Sequence, residues 1–294
     1  MQVFLTGGTG YIGSAVLRRL VADGHHVTAL VRSEASAAKV TAAGATALDA
    51  DITDTAWLAE QMAQVDGTIH TASPGDATSA AVDASVAEAA AKVYTDTGKP
   101  YVHTSGIWVY GDGDAITEDS AFAAPTLVAW REEIEKKALS IAGARPVVVV
   151  PGVVYGHGGG VPNLISGAPR DDDGALRLVG DGSQHWVTVH VEDLADLYVR
   201  ALKGGRGGSY YIASDGDNPT VRELGSAAAR AAGTGAVRAE SAAETRARLG
   251  ELFADALLLN QRATGARARD ELGWQPGQTS LVEELERGSY APTA

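Results

Sequence analysis

The stretch Thr6-Gly-Gly-Thr-Gly-Tyr-Ile-Gly13 decides the fold of this 294-residue chain. It follows the short apolar segment Val3–Thr6, which predicts a buried strand, and precedes Ser14–Ala22, whose apolar residues recur at helical spacing. Glycines permit a tight turn and close approach of the backbone to a pyrophosphate, and the free N–H groups of a helix start attract negative charge. A glycine-rich turn alone is a weak signal, but strand, glycines and helix in this order predict a dinucleotide site.

Alternating strand and helix patterns continue from this turn through the first half of the chain. Such alternation predicts a parallel sheet with crossover helices, and purely apolar strands predict a sheet covered on both faces. The predicted strands are Val27–Val31, Ala45–Leu48, Gly67–Thr71, Pro100–Thr104 and Val147–Val150, and the predicted helices are Thr78–Thr97 and Thr126–Ala142.

After Pro151 the regular pattern gives way to segments rich in glycine and aspartate. Gly156–Gly160 and Gly167–Gly182 are predicted to be long loops, which are often functional in compact enzymes. Further elements are predicted at Val191–Leu202 and Val221–Ala232 (helices) and at Tyr210–Ile212 (a strand).

These patterns together predict an α/β protein. Its core is expected to be a Rossmann-type doubly wound parallel sheet, with a smaller C-terminal α/β lobe that binds substrate. The predicted boundaries are 1–152 for the dinucleotide-binding core and 153–294 for the lobe, with 187–212 returning to the core.

Composition narrows the function classes. The chain has no cysteine, which excludes disulfides and thiolate chemistry, and its net charge of -13 disfavours nucleic acid and anionic membranes as partners. No cluster of residues has the spacing of a metal site. The chain opens on a strand, and no apolar run approaches the roughly 20 residues that a membrane span needs. We therefore expect a cytoplasmic protein.

The end of the second predicted strand indicates which dinucleotide is preferred. Sites specific for NAD carry an acid about 20 residues beyond the glycines to receive the ribose hydroxyls. Here the strand is followed by Arg32 and Ser33, whose guanidinium and hydroxyl suit a 2′-phosphate. The sequence predicts NADP(H) in preference to NAD(H). In the alternative, Arg32 is a solvated cation and Glu34 serves the ribose.

Six segments in fixed order resemble the motifs of one family. They are Thr6–Gly13, Asp51-Ile52, His70-Thr71-Ala72, Thr104-Ser105 with Val109-Tyr110-Gly111, Pro151–Gly156 and His190-Val191-Glu192-Asp193. With these motifs the chain resembles the extended short-chain dehydrogenases/reductases, in their epimerase/dehydratase-like branch. The resemblance covers nearly the whole sequence and is specific for the fold, but it says little about the substrate.

The resemblance implies a set of cofactor contacts and an assembly. Asp51-Ile52 matches the adenine-contacting pair, the segment from Thr71 lies beside the cofactor ribose, and Val153 belongs to the segment near the nicotinamide amide. The family assembly is a homodimer through the helices Thr78–Thr97 and Thr126–Ala142. The implied cofactor-binding residues are Thr6, Gly7, Gly10, Tyr11, Ile12, Gly13, Asp51, Ile52, Thr71, Ala72, Ser73, Arg131 and Val153, in addition to Arg32 and Ser33.

The sequence departs from the family at the catalytic YxxxK motif. When Glu135 is set on the glutamate that follows the family's lysine, Arg131 takes the lysine position and Leu127 the tyrosine position. A second register places Trp130 and Ile134 at those positions, so the tyrosine is absent in either. The family's catalytic serine or threonine stands four residues before the tyrosine equivalent to Tyr110, where this chain has Gly106. Ser105 is offset from that position by one residue.

A carbonyl reductase needs a proton donor as well as a hydride. Leu127 cannot donate, and an arginine side chain stays protonated at neutral pH. We expect Ser105 to orient the reacting heteroatom and Arg131 to anchor the ribose, with the proton coming from water, Tyr110 or His185. The other side chains considered as acids are His103, Tyr155 and His157.

The leading hypothesis is an NADP(H)-dependent oxidoreductase that reduces a small organic carbonyl or imine. An iminium already carries its proton, so the missing tyrosine matters less for imines. One alternative is a sugar-nucleotide epimerase or dehydratase, which the lost tyrosine disfavours. The other is a catalytically silent NADP(H)-binding sensor.

Overall fold

The computed structural model describes residues 1–292, and residues 293 and 294 of the predicted lobe lie outside the described part. Its strands are β1 (Gln2–Thr6), β2 (His26–Val31), β3 (Thr46–Asp49), β4 (Gly67–His70), β5 (Pro100–Thr104), β6 (Gly113–Ile116), β7 (Arg145–Pro151), β8 (Val153–Tyr155), β9 (Leu176–Arg177), β10 (Thr188–His190), β11 (Ser209–Ala213), β12 (Val237–Arg238) and β13 (Gln261–Ala263).

The helices alternate with these strands through the first half and dominate the second. They are α1 (Tyr11–Ala22), α2 (Glu34–Ala42), α3 (Thr55–Ala63), α4 (Ser79–Tyr94), α5 (Arg131–Leu139), α6 (Asn163–Ser166), α7 (Val191–Gly204), α8 (Val221–Ala231), α9 (Ala242–Leu249), α10 (Glu251–Leu257), α11 (Ala266–Leu272) and α12 (Leu281–Arg287). A 3-10 helical turn, Ile107–Tyr110, follows β5.

A parallel sheet forms the centre of the molecule, as the sequence predicts. Its seven strands in the described chain run in the order β11-β7-β5-β4-β1-β2-β3. The first strand lies between β2 and β4, so the strand order reverses beside it. Ligands of doubly wound folds bind at the carboxyl ends of the strands around such a reversal. The fold class is therefore confirmed, and the topology places any dinucleotide site at the ends of β1, β4 and β5.

Side chains of β1 alternate between two apolar layers. Val3 and Leu5 pack into a cluster with α1 and α7, whereas Phe4 packs into a second cluster with α3, α4 and α5. Successive side chains of a strand point to opposite faces, so a sheet covered on both sides needs apolar residues at every position. This explains why β1 and β7 read as continuous apolar runs.

The second half builds a smaller cluster and also returns to the sheet. Residues of β8, β9, α8 and α12 form a separate apolar cluster. The strand β11 pairs with β7 at the edge of the central sheet, and α7 packs against α1. The segment that we predict to return to the core thus contributes one strand and one helix to it. No helix within residues 1–292 is long and apolar enough to cross a membrane.

The boundaries of most predicted elements agree with the structure, but the predicted extent of one helix is wrong. Thr126–Ala142 was expected to be helical throughout, but α5 covers only Arg131–Leu139. The residues after Pro125 instead form consecutive turns, in which the Val128 N–H donates to the Pro125 carbonyl and the Arg131 N–H to the Val128 carbonyl. The segment Gly167–Gly182, predicted to be a loop, contains the short strand β9.

Candidate active site

The glycine-rich turn is shaped by contacts that leave no room for side chains. Gly7 has a φ of 79°, and a Cβ there would lie 2.6 Å from the Ala72 nitrogen. A Cβ at Gly13 would overlap the Gly7 carbonyl oxygen and lie 2.6 Å from Thr71 Oγ1. The helix α1 begins after Gly10 without a side-chain cap, so its first N–H groups face the turn. These residues fit a pyrophosphate, because the backbone can approach it closely and offers donors.

A loop from the second half closes over this turn. The Tyr11 hydroxyl donates to the Gly156 carbonyl at 2.7 Å, while Ile12 packs against the core. The Tyr290 hydroxyl accepts from the Gly156 N–H at 2.8 Å and donates to the Gly159 carbonyl. The segment Gly156–Gly160, predicted to be a loop, is therefore held against the glycine-rich turn by its hydrogen bond with Tyr11.

Arg32 and Ser33 lie at the carboxyl end of β2, as the sequence predicts. Arg32 is exposed, and within residues 1–292 its guanidinium makes no ion pair or hydrogen bond. The Ser33 hydroxyl caps α2 by accepting from the Ser36 N–H at 3.2 Å. Asp76 stands close by: the Thr78 hydroxyl lowers the pKa of its carboxyl, and the charge of Arg32 adds to the effect.

The other predicted cofactor residues border the same strand ends. Asp51 is exposed and accepts from the Thr53 N–H at 2.8 Å, which holds its turn beside the half-buried Ile52. The Thr71 hydroxyl donates to the Thr6 carbonyl at 2.8 Å, and thereby fixes the start of the segment 71–73, which contains Ala72 and Ser73, against the turn. Val153 is buried in β8, next to the end of β7.

Sequence reasoning missed a buried carboxylate that joins four elements. Asp83 on α4 is 2% exposed; its Oδ1 lies 3.0 Å from His70 Nε2, and its Oδ2 lies 3.5 Å from His103 Nε2. Burial alone would raise the pKa of Asp83, but hydrogen bonds from His103 and His70 outweigh it and hold the pKa below its usual range. The other ring nitrogen of His70 lies 2.6 Å from Thr6 Oγ1, so the network reaches the glycine-rich turn.

Arg131 completes this network. Its guanidinium donates to the Thr104 carbonyl at 2.9 Å and to Asp83 Oδ2 at 3.3 Å, and it lies 4.6 Å from the centre of the Trp130 ring. The cation is therefore held at the carboxyl end of β5, beside the segment that we expect to face the cofactor ribose. No signal in the sequence marks Asp83 as its partner, because the residue is one of two acids in an alanine-rich helix.

Ser105 and Tyr110 both lie beneath the surface. Among the described residues, Ser105 Oγ, Tyr110 OH and both carboxylate oxygens of Glu135 are buried without a hydrogen-bond partner. Gly106, in contrast, is half-exposed, and a Cβ there would meet no described atom within 4 Å. The open position at the end of β5 is thus Gly106, which we call the notch, and Ser105 lies behind it.

Glu135 is the second residue whose importance the sequence did not reveal. It is fully buried on α5, and burial raises the pKa of its carboxyl to about 7, although the Ser105 hydroxyl and the Arg131 guanidinium oppose the shift. Burial also raises the pKa of Tyr110 far above its ordinary value, so its phenol stays protonated. The aligned glutamate is therefore an acid that titrates near neutrality.

The remaining candidate acids have other partners. His185 Nδ1 lies 3.0 Å from Asn260 Oδ1, and the histidine backbone N–H donates to the same oxygen. Tyr155 is buried, and its hydroxyl contacts Asp215 and the Thr279 carbonyl. His157 is exposed and lies 3.0 Å from Glu192. None of these contacts joins His185, Tyr155 or His157 to the described groups around Ser105.

Comparison with known proteins decides the family. The model of the NAD dependent epimerase/dehydratase family matches residues 3–213. The chain belongs to this family. It is accordingly an NAD(P)-dependent oxidoreductase of the extended short-chain dehydrogenase/reductase type, and the resemblance seen in its sequence is confirmed.

Several known proteins resemble the chain over most of its length. An uncharacterized protein of Schizosaccharomyces pombe is 31% identical and covers 99% of this chain and 100% of its own. A 4-hydroxy-2-methyl-3-oxo-4-farnesyl-3,4-dihydroquinoline-1-oxide ketoreductase of Stigmatella aurantiaca is 30% identical over 91% of this chain and 85% of its own. The structure of a dTDP-glucose 4,6-dehydratase double mutant from Streptomyces venezuelae, with NAD bound, has a TM-score of 0.76 at 22% identity, covering 98% and 96% of the two chains. This last likeness concerns the fold alone.

Substituting Gly13 tests the glycine-rich turn. A methyl group in Gly13→Ala must displace the Gly7 carbonyl or Thr71, and such overpacking costs about 1–3 kcal/mol. We expect dinucleotide binding, measured by calorimetry, to weaken by about 10–100-fold. The control is Gly204→Ala, whose Cβ would lie at an ordinary 3.9 Å from Leu272. Unchanged binding by the Gly13 variant would contradict a pyrophosphate at this turn.

The raised pKa of Glu135 predicts how stability depends on pH. A carboxyl whose pKa is higher in the folded state stabilises the fold fully below its unfolded pKa, and this contribution is lost as the pH rises through about 7. We expect Glu135→Gln to match the wild type near pH 4 and to be more stable near pH 9 by up to about 3 kcal/mol in the free energy of unfolding. Urea denaturation measures the difference, with the exposed Glu133→Gln as control. Burial also raises the pKa of Asp215 to about 7. Because Asp215 is present in the wild type and in both variants, its contribution cancels in the difference in unfolding free energy between them.

Proposed function

We propose that this family member is an NADP(H)-dependent reductase of a small organic carbonyl or imine. The arrangement at the strand ends supports the proposal: a turn that fits a pyrophosphate, a fixed cation at Arg131 and the open notch at Gly106. The dinucleotide, when bound by the predicted residues, supplies or accepts the hydride. A resemblance to a ketoreductase over 91% of the chain agrees with this reaction class.

The chain's own residues would orient the substrate around that transfer. Arg131 anchors the ribose, since its guanidinium is held at the end of β5 and keeps its charge at neutral pH. The notch leaves room for a reacting carbonyl or imine group, and Ser105 behind it would orient the reacting heteroatom. Leu127, at the position where the family has its tyrosine, offers no proton, which favours imines or a donor elsewhere.

The charges of the second half disfavour a sugar nucleotide as substrate. A diphosphate needs cationic side chains that are free to bind it. In residues 153–292 every arginine except Arg262 already donates to a protein group. The cations without such a partner among these residues are Arg262, exposed on β13, and Lys203, exposed near the end of α7. We therefore favour reduction of an uncharged compound over epimerase or dehydratase chemistry.

The first experiment titrates the protein with NADPH and NADH by fluorescence and then offers carbonyls and imines with the tighter cofactor. NADPH binding followed by substrate-dependent oxidation is the expected result. Binding without any turnover would favour the second candidate, an NADP(H) sensor, which the buried positions of Ser105 and Tyr110 support. Turnover of a sugar nucleotide without net cofactor consumption would overturn the proposal.

We also propose that the protein is cytoplasmic and forms a homodimer through α4 and α5. The exposed stripe of α4 includes Ala81 and Ala84, which permit close approach of a second helix. Light scattering tests the assembly, and a monomer at all concentrations would contradict it.

Arg32 determines the cofactor preference in this proposal. Removing a charge-assisted hydrogen bond to the 2′-phosphate costs about 1.5–3 kcal/mol. Arg32→Ala should therefore weaken NADPH binding by about 10–100-fold and leave NADH binding unchanged. Lys39→Ala, which removes an exposed cation of α2, is the matched control and should change neither affinity. Equal losses for both dinucleotides, or tighter NADH binding by the wild type, would reassign Arg32 as a solvated cation.

A further inference from the structure

Residues 156–160, which we call the cover loop, are poorly suited to hold a conformation by themselves. Gly156, Gly158 and Gly160 have φ values of 115°, 67° and 78°. His157, which lies among them, has a φ of 52°. Glycine adopts positive φ freely but loses more conformational freedom on folding than any other residue, and a non-glycine residue persists there only where its surroundings fix it. The cover loop therefore depends on contacts from outside to stay in place.

Two consecutive residues after α12 supply such contacts. The Tyr290 hydroxyl accepts from the Gly156 N–H at 2.8 Å and donates to the Gly159 carbonyl at 2.5 Å. The Ser289 hydroxyl accepts from the Gly158 N–H at 2.8 Å and itself donates to a glutamate of α12 at 2.6 Å. The ring of Tyr290 is buried in the apolar cluster of the second half, so its hydroxyl is held in position. Two side chains thus hold three main-chain groups of the cover loop.

On its inner side the cover loop packs directly on Tyr11. The Tyr11 hydroxyl donates to the Gly156 carbonyl at 2.7 Å. A Cβ at Gly159 would overlap the edge of the Tyr11 ring, and a Cβ at Gly160 would lie 3.1 Å from Cε1 of the same ring. The backbone of the loop therefore lies against this ring as closely as the absence of side chains allows.

Tyr11 also belongs to the turn that fits a pyrophosphate. The helix α1 begins at this residue, and the Ser14 N–H donates to the Gly10 carbonyl at 2.9 Å. The N–H groups of residues 11–13 precede this bond, and such groups at a helix start are the ones left for a ligand. The residue whose side chain receives the cover loop is therefore also a residue whose N–H group would receive the dinucleotide.

We propose that Tyr290 is a positioning residue of the dinucleotide site: it holds the cover loop on Tyr11, and the loop must leave Tyr11 before the dinucleotide can dissociate. This inference rests on the proposed binding of a nicotinamide dinucleotide. It gives the residues that follow α12 control over how long the cofactor stays bound.

The cover loop can open without breaking the central sheet. It lies between β8 and α6 and belongs to no strand or helix of the described chain. Its other main-chain hydrogen bonds are local, as when Asn163 at the start of α6 donates to the Gly158 and Gly160 carbonyls. The exposed His157 lies 3.0 Å from Glu192, a contact with which water competes. Elements that move during ligand exchange are typically such segments of low local stability.

The decisive experiment measures how fast the dinucleotide leaves the protein. The protein is loaded with NADPH, or with NADH if that binds more tightly, and is mixed with an excess of the oxidised form in a stopped-flow fluorimeter. Tyr290→Phe removes both hydroxyl contacts but keeps the ring, and we expect release to become about 10-fold faster. Ser289→Ala removes one contact with the loop and should speed release about threefold.

Tyr94→Phe is the matched control. The Tyr94 hydroxyl is also buried and lies 2.7 Å from Thr68 Oγ1, but the residue is at the end of α4 and packs in a different apolar cluster. Its loss should leave the release rate unchanged, although it removes a hydrogen bond of the same kind.

Two further measurements separate positioning from a general loss of structure. Adenosine 2′-monophosphate lacks the pyrophosphate, so its affinity should be the same in Tyr290→Phe and in the wild type. Tyr11→Phe removes the other hydroxyl that holds the cover loop, and it should also speed release. Because both tyrosines act on one loop, the effects of the two substitutions should not multiply in the double variant.

Hydrogen exchange tests the contacts without any cofactor. The amide protons of Gly156 and Gly158 are the ones bonded to Tyr290 and Ser289. A peptide that contains residues 156–160 should therefore exchange faster in Tyr290→Phe and in Ser289→Ala than in the wild type, and at the wild-type rate in Tyr94→Phe.

The outcomes separate this inference from the proposed function. If the wild type binds neither NADPH nor NADH, the proposed function fails and the inference fails with it. If the wild type binds a dinucleotide and Tyr290→Phe releases it at the wild-type rate, the positioning role is wrong while the function stands. The role is equally wrong if Tyr290→Phe loses the same factor in affinity for adenosine 2′-monophosphate, if the effects of the two tyrosines multiply, or if hydrogen exchange of the cover loop does not change.

Discussion

The buried charge of Asp83 is the interaction on which the site depends. An isolated carboxylate in an apolar interior is very costly, and it persists only when paired and hydrogen-bonded. Asp83 satisfies this condition by drawing in His70 from β4, His103 from β5 and Arg131 from α5. These partners are fixed at the strand ends where the topology places a dinucleotide. His70 extends the same network to Thr6, so the glycine-rich turn and the cation beside it share one anchor.

The side chains that could donate a proton lie in a different place here from that of the family's tyrosine. In the family motif the proton donor comes from a tyrosine one helical turn before the lysine, and here that position is Leu127. The donors that remain, Ser105 and Glu135, lie behind the end of β5, while the opening itself is lined by the backbone of Gly106. An uncharged notch with an acid behind it suits a small neutral substrate better than a charged one. The arginines of the second half, nearly all of which already donate to protein groups, also favour an uncharged substrate.

Much of the fold could be predicted from the sequence because its signals are local. The glycine-rich turn, the apolar runs of β1 and β7 and the capping box of α8, which Thr220 and Glu223 form, each depend on a few neighbouring residues. The helices α2 and α3 were missed because their alanine-rich segments show weak amphipathic periodicity; only the caps Ser33 and Asp54 mark their starts. Helix α5 is shorter than predicted, because the residues between Pro125 and Arg131 form consecutive turns although their types favour a helix.

The site was less predictable, because its decisive contacts join residues far apart in the chain. The contacts of Asp83 with His103 and Arg131 come from the packing of α4 against β5 and α5, which no local pattern encodes. The sequence marks Glu135 only as the position aligned with the family's glutamate, and nothing around it predicts full burial. The one-residue offset of Ser105 from the family's catalytic position is visible in the sequence. Its consequence is visible only in the structure of the strand end, where Gly106 is open and Ser105 is covered.

The position of Glu135 runs against the stability of the fold, and this bears on its role. A leucine or methionine would fill a similar volume without an unpaired carboxyl, and replacing buried ionisable groups by apolar ones is often stabilising. The glutamate instead makes the fold less stable as the pH rises through its raised pKa of about 7. Local rules of folding are typically broken at functional sites, where a less stable arrangement serves the chemistry. An acid that weakens the fold as it ionises, one helical turn from the fixed Arg131, is therefore not explained by packing.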